Sequence, residues 1–211
     1  MAADQGPMSA ADFQNSTGVS RETMERLEAY AALLQKWQPR INLVGPKTLP
    51  DLWRRHFLDS AQLAEHIPEN ARSLIDLGSG AGFPGLVLCI LSDLQTHLVE
   101  SDARKSAFLR EAAREAGVSD RLTVHTKRAE SLDLPPADVV SARALAPLDT
   151  LFPWVERFWK NSTLGLFPKG IRYKEELTAI NYGWYINYST VSSRVDPDSV
   201  LLLVRDLKRR S

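Results

Sequence analysis

The sequence predicts an α/β fold in which an open, mostly parallel, seven-stranded sheet is covered by helices on both faces and preceded by a helical N-terminal cap. Three observations predict it. From Ser73 onward, short β-rich runs alternate with helical patterns, and strands joined through helices form parallel sheets buried on both sides. A glycine-rich segment, Gly78 to Gly85, lies between the first such run and the next helix, where doubly wound sheets bind ligands. The chain has 211 residues, 44% hydrophobic and 25% charged, which suits one large domain with a substantial core.

Taken in order, residues 1–18 are small and polar, with Gly6, Pro7 and Gly18, and are expected to form a flexible N-terminal arm. Residues 19–70 are expected to form the cap. Ser20 can cap a helix carrying Met24, Leu27, Ala31 and Leu34 at three- and four-residue spacings, which must end before Pro39. A turn at Asn42 to Pro46, with Asn42 as its candidate pin, leads into a second helix from about Leu49 to His66. The sheet domain is expected over residues 71–211, with strands at 73–77, 96–100, 122–125 and 139–141, then weaker candidates at 163–167, 185–190 and 200–204. Helical patterns fall at 85–91, 103–116 and 148–159. The last two strands are expected to close the sheet as an antiparallel pair.

Composition removes several function classes. Lys+Arg 26 balance Asp+Glu 26, which argues against indiscriminate nucleic-acid binding while leaving room for a local basic surface. The single cysteine, Cys89, sits in an apolar run, so the chain is no disulfide framework and Cys89 reads as a small core hydrophobe. No apolar stretch approaches the ~20 residues that span a bilayer, and the N-terminus lacks a secretory pattern, so a cytoplasmic protein without a membrane partner is expected.

The sharpest signal is the segment Asp76-Leu77-Gly78-Ser79-Gly80-Ala81-Gly82-Phe83-Pro84-Gly85. Its glycines allow positive φ and close backbone approach to a ligand at the end of the first strand. Gly80, Gly82 and Gly85 also satisfy the spacing of a dinucleotide fingerprint, so a nicotinamide-dependent oxidoreductase is an alternative. Asp76 separates the two, because a carboxylate at the strand tip repels a pyrophosphate and suits a cationic ligand. Glu100, at the tip of the second strand, can accept both hydroxyls of a ribose. The pattern resembles the Rossmann-like fold of class I methyltransferases that use S-adenosylmethionine. That resemblance implies cofactor contacts from Asp76, Gly78, Ser79, Gly80, Ala81, Gly82 and Phe83, from Glu100 and Ser101, from Ala129 and Glu130, and from Arg143. Leu132 is a further candidate, packing on the adenine.

The methyl acceptor is narrowed by what the chain lacks. Cys89 has no His or Lys nearby in sequence to activate it for cytosine C5 chemistry. The Asp/Asn-Pro-Pro-aromatic stretch of exocyclic-amine enzymes is replaced by Val140-Ser141-Ala142-Arg143-Ala144. Guanine N7 carries an in-plane lone pair and no proton, so its methylation needs positioning and no general base. Arg128, Arg143 and Lys169 fall at or just past strand ends, where basic side chains can hold RNA phosphates beside the cofactor. His56, Asp59 and Ser60 share one helical face and are candidates for docking on the glycine loop or shaping the acceptor pocket. Two ligands do not make a metal site, and none is expected.

Five ordered motifs carry a more specific resemblance: Asn42 to Val44, Arg55 to Ser60, Asp76 to Gly85, Ser141 to Ala144, and Phe167 to Gly170. Together they resemble the bacterial small-subunit ribosomal RNA methyltransferase G family, also called the glucose-inhibited division protein B family. One departure is Pro168, where family members usually carry an aliphatic residue. The resemblance implies a cytoplasmic monomer that forms 7-methylguanosine in the 530 loop of 16S ribosomal RNA, acting on the RNA, the small ribosomal subunit or an assembly intermediate. It implies S-adenosylmethionine as cofactor and S-adenosylhomocysteine as product, and places Arg128, Arg143 and Lys169 near the RNA. A noncatalytic ribosome-assembly or RNA-binding factor that retains a cofactor fold is the remaining alternative.

Overall fold

The computed structural model describes residues 6–210; the first five residues of the expected arm and Ser211 lie outside the described residues. Seven strands form one sheet in the order β3-β2-β1-β4-β5-β7-β6. They are β1 (Ser73–Leu77), β2 (Gln95–Val99), β3 (Leu122–His125), β4 (Val139–Ala142), β5 (Leu164–Lys169), β6 (Trp184–Ser192) and β7 (Val200–Arg209). β1 to β5 run parallel, while β7 pairs antiparallel with both β5 and β6. The order reverses between β1 and β4, so the crevice at their carboxyl ends is the topological switch point where such sheets take ligands.

Pleating assigns each strand residue to one of two layers. Ile75, Leu77, Val140 and Ala142 face a core built with α6 (Leu148–Val155) and α7 (Tyr173–Ile180), from which Phe152, Leu177 and Ile180 are buried. Leu74 and Val139 face the other way, against Leu88 of α4 (Gly85–Leu91). On that side α5 (Ala103–Glu115) contributes Phe108 and Leu109, and Cys89 is fully buried, as a core hydrophobe should be. α2 (Arg21–Trp37) runs as its apolar spacing predicts, capped by Ser20, with Leu27, Tyr30 and Leu34 completely buried. Each such side chain contributes about 1.5–3 kcal/mol of transfer free energy.

Three expectations for the N-terminal part need correction. Residues 9–18 are no flexible arm: α1 (Ala10–Thr17) is closed by a Ser9/Asp12 capping box and ends on left-handed Gly18. Phe13 is completely buried against Trp53 and Phe57, and Met8 N donates to Asp51 at 2.8 Å, contacts with residues some forty positions away that local composition does not show. The second helix is not regular: it starts with a tight turn at Leu49–Asp51, widens to a π-helical stretch at Trp53–Leu58, and continues as α3 (Asp59–Ala61). The wide turn falls where His56 and Asp59 both reach Arg143. The turn before it is pinned by Gln38, which accepts from Leu43 N and Val44 N and donates to Val44 O, while Asn42 is exposed. α7 was not expected at all, although Leu177 and Ile180 share its buried face.

Candidate functional site

The glycine loop turns back over the switch point. Gly78 and Gly80 have φ of 65° and 57°, the left-handed region, and a Cβ on Gly78 would stand 2.4 Å from the Leu145 side chain. Glu100 holds the loop in place: its Oε2 accepts from Gly80 N at 2.9 Å and its Oε1 from Asp102 N at 2.7 Å. Each oxygen keeps a further lone pair. The loop, Glu100 and Ser101 border a cavity of about 430 Å³, within the usual range for small-molecule sites. Gly78, Ser79, Gly80, Ala81 and Phe83 all line it.

Two members of the expected cofactor set do not. Asp76 is completely buried, because strand alternation turns it away from the cavity and under α4, where a Cβ on Gly85 would meet its own at 2.5 Å. Ser141 donates to Asp76 Oδ1 at 2.6 Å, and Ser79 and Gly85 N also approach the carboxyl. Burial pushes the Asp76 carboxyl up to about 6. Gly82 faces the cap: a Cβ there would lie 2.8 Å from the Tyr30 hydroxyl, which donates to Ala81 O. Both residues shape the loop from behind.

Beyond β3, the short turn Ala129–Ser131 places Ala129 and Glu130 on the cavity wall. Arg157 fixes this turn, donating to Ala129 O at 3.2 Å, to Glu130 O, and to Leu132 O at 2.7 Å. Leu132 itself is in the core, so it packs on the sheet and not on a ligand. Arg128 is exposed at the rim with Lys127, and Lys105 lines the same cavity.

Arg143 is the hub between sheet and cap. Its Nη1 donates to Asp59 Oδ2 at 3.0 Å and to Arg55 O at 3.4 Å, its Nη2 lies 2.9 Å from His56 Nδ1, and its guanidinium sits 5.2 Å from the Phe83 ring centre. A guanidinium only donates, so His56 Nδ1 accepts and Nε2 carries the proton, which goes to Thr48 Oγ1 at 2.7 Å. Burial and the adjacent Arg143 and Arg55 hold His56 down at about 3. With both nitrogens engaged, His56 is a neutral strut and not an available base. Ser60 is buried, and its hydroxyl donates to His56 O within its own helix.

A second cavity of about 470 Å³ opens beside the first and shares Arg143, Ala144 and Leu145 with it. Ala144 has φ of 51°, an uncommon conformation for alanine, at the partition between the two. Lys169 lines this second cavity but is not the exposed phosphate holder that was expected. Its side chain is 9% exposed, and Nζ donates to Glu176 Oε2 at 2.8 Å and to Ala146 O at 3.2 Å. Pro168 stands beside it past the end of the β4 pairing at Leu166, with an open edge on that side, while it stays in register with Leu201 of β7 on the other. Among the described residues no group of three His, Cys, Asp or Glu is placed to hold a metal ion.

Tyr30, Arg157 and Glu176 were missed from the sequence. Tyr30 follows Leu27 by three residues on the same buried stripe, and Glu176 lies in the first turn of the unrecognised α7; for Arg157 there was no local signal.

The family described as rRNA small subunit methyltransferase G matches residues 23–196. A ribosomal RNA small subunit methyltransferase G from Rhodospirillum centenum is 54% identical, covering 95% of this chain and 92% of its own. One from Paramagnetospirillum magneticum is 52% identical over 96% of this chain and 98% of its own. Among solved structures, a putative S-adenosyl-L-methionine-dependent methyltransferase from Methanococcus maripaludis superposes with a TM-score of 0.58 at 12% identity, over 100% of this chain and 99% of its own. An O-methyltransferase from Bacillus cereus, solved in complex with SAH, gives 0.57 at 15% identity over 92% and 96%. At those identities the likeness is one of fold.

Proposed function

The chain belongs to the rRNA small subunit methyltransferase G family, and from that premise we propose that it methylates N7 of a guanine in 16S ribosomal RNA, in the 530 loop. It is an S-adenosylmethionine-dependent methyltransferase, and the nicotinamide alternative left open by the glycine spacing is set aside. The cavity fits that cofactor: the positive-φ glycines bring backbone close to it, Glu100 keeps lone pairs for ribose hydroxyls, and the Ala129–Glu130 wall is firmly held.

Bound S-adenosylmethionine supplies a methyl group on a cationic sulfur. Held by the glycine loop, Glu100 and the Ala129–Glu130 wall, it would offer that methyl group to the guanine N7 lone pair, with the C–S electron pair left on sulfur and the positive charge on the guanine ring. No proton moves, so the protein has to align the two reactants and keep water out. The observation that carries this reading is the pair of cavities joined at Arg143, Ala144 and Leu145, one on the glycine loop and one beside it. Among the described residues His56 is the one imidazole lining the first cavity, and both its nitrogens are engaged, which suits an acceptor needing no base.

Arg128, Lys127 and Lys105 at the rim suit RNA phosphates. Arg143 keeps N–H groups beyond those used by Asp59, Arg55 and His56, and so positions the acceptor as well as the cap. The proposed partner is the small ribosomal subunit or its RNA, met by a monomer in the cytoplasm. Among the described residues no helix is long and apolar enough to cross a membrane. The test is incubation with methyl-labelled S-adenosylmethionine and unmodified small subunits, followed by nucleoside analysis. Label in 7-methylguanosine is expected; label in any other nucleoside sinks the proposal.

A further inference from the structure

Resting on that reading, we infer that Glu176, with Lys169, recognises the Watson–Crick edge of the target guanine in the second cavity. Glu176 lines this cavity from the first turn of α7. Its Oε2 is held from inside by two donors, Lys169 Nζ at 2.8 Å and Leu148 N at 3.1 Å. Oε1 accepts no hydrogen bond among the described residues, so a rigidly held carboxylate presents one open acceptor. Lys169 Nζ spends two of its three protons on Glu176 and Ala146 O, leaving one donor beside that acceptor.

Among the charged groups of the cavity, Glu176 is set apart by its open oxygen beside a cation; Ser193 and Ser199 bring neutral hydroxyls, and Ser193 Oγ already accepts from Gln62 Nε2 and Val195 N. Asp59 is committed to the cap: its Oδ2 accepts from Arg143 and its Oδ1 from Gln62, whereas Glu176 keeps one oxygen with no protein donor among the described residues. Arg143 and Arg172 are donors only.

A donor next to an acceptor matches guanine, whose O6 accepts while N1–H and the N2 amino group donate. Adenine offers the reverse, an amino donor opposite Lys169 and a bare N1 opposite Glu176, and two such mismatches in a partly buried site exclude it. Guanine N7 lies on the edge beyond O6, clear of N1 and N2, so a base whose Watson–Crick edge is held here keeps N7 free for the cofactor cavity that shares Arg143, Ala144 and Leu145. As the ring gains positive charge during transfer, its N1–H and N2–H groups become stronger donors, and a fixed carboxylate against them favours the transition state over the ground state. Glu176 therefore acts on base identity and on rate.

The experiment uses small subunits reconstituted with either guanosine or inosine at the methylated position; inosine keeps O6, N1 and N7 and lacks only the N2 amino group. Wild-type protein is expected to lose at least tenfold in kcat/KM on inosine. In Glu176→Gln the single carbonyl oxygen can still accept from Lys169 and Leu148, which obliges the amide NH₂ to face the cavity, a donor against donors. That variant should bind S-adenosylmethionine within twofold of wild type, lose at least tenfold in kcat on guanosine, and show an inosine penalty below threefold. Glu176→Asp, which keeps the charge but withdraws the acceptor, should fall between the two. An inosine penalty equal in variant and wild type, or loss of S-adenosylmethionine binding by Glu176→Gln, overturns the assignment while 7-methylguanosine still forms with wild type. Failure of the wild type to form 7-methylguanosine instead overturns the reading on which it rests.

Discussion

Ser141 and Asp76 are register partners on adjacent parallel strands, and the Ser141 hydroxyl donates at 2.6 Å to a carboxylate with no contact with solvent. The bond lies beneath the glycine loop, so it joins the two strands on either side of the switch point.

Removing that donor takes away the strongest side-chain hydrogen bond to the Asp76 carboxyl. Ser141→Ala is expected to cost about 1.5–3 kcal/mol where Asp76 is charged, the range for a hydrogen bond to an ionised group. The Asp76 carboxyl is raised to about 6, so the folded protein holds a proton there that the unfolded chain releases near its ordinary value of 3.8. The stability this contributes is complete below 3.8 and lost as pH rises through 6. Urea unfolding should therefore show a larger deficit for Ser141→Ala at pH 8 than at pH 5. Equal deficits would mean that the carboxyl does not change charge across that interval.

His56 has the opposite sign. It is held at about 3 in the fold against 6.5 when free, so between those values the unfolded chain binds the extra proton. Its contribution is complete above 6.5 and is lost as pH falls toward 3, at a slope of at most about 1.4 kcal/mol per pH unit. Glutamine cannot titrate, so the stability of wild type minus that of His56→Gln should climb from pH 3 to 6.5 and then level. A flat difference curve would show that His56 is solvated and not wedged against Arg143.

Glu100 faces two backbone donors with two oxygens, and an amide has only one oxygen to offer. In Glu100→Gln either Gly80 N or Asp102 N meets an NH₂ group, and the loop loses its tie to β2. S-adenosylmethionine affinity measured calorimetrically is expected to fall at least tenfold, with the thermal midpoint changed by only a few degrees. Unchanged affinity would place the ribose elsewhere in the cavity.

The sequence by itself determined what depends on local periodicity and on backbone freedom. Seven strand runs and the helices Gly85–Leu91, Ala103–Glu115 and Leu148–Val155 fall within a few residues of their expected places, because side-chain alternation and helical spacing are written in consecutive residues. The glycine loop and Glu100 were legible because positive φ needs glycine and because the strand tip is fixed once the strand is known. The ordered motifs also singled out Arg143 and Lys169, which line the second cavity.

The tertiary structure alone decided which way those side chains face and what neutralises them. Asp76 reads as a cofactor contact until β4 brings Ser141 beside it and α4 covers it, and Lys169 reads as an exposed holder of RNA phosphates until α7 supplies Glu176. Phe13 becomes a core residue only against Trp53, forty positions on, and Arg157 reaches the Ala129 turn across 28 positions. The free energy of a charge or an aromatic ring depends on the partners that replace its water, and for these residues the partners come from distant parts of the chain.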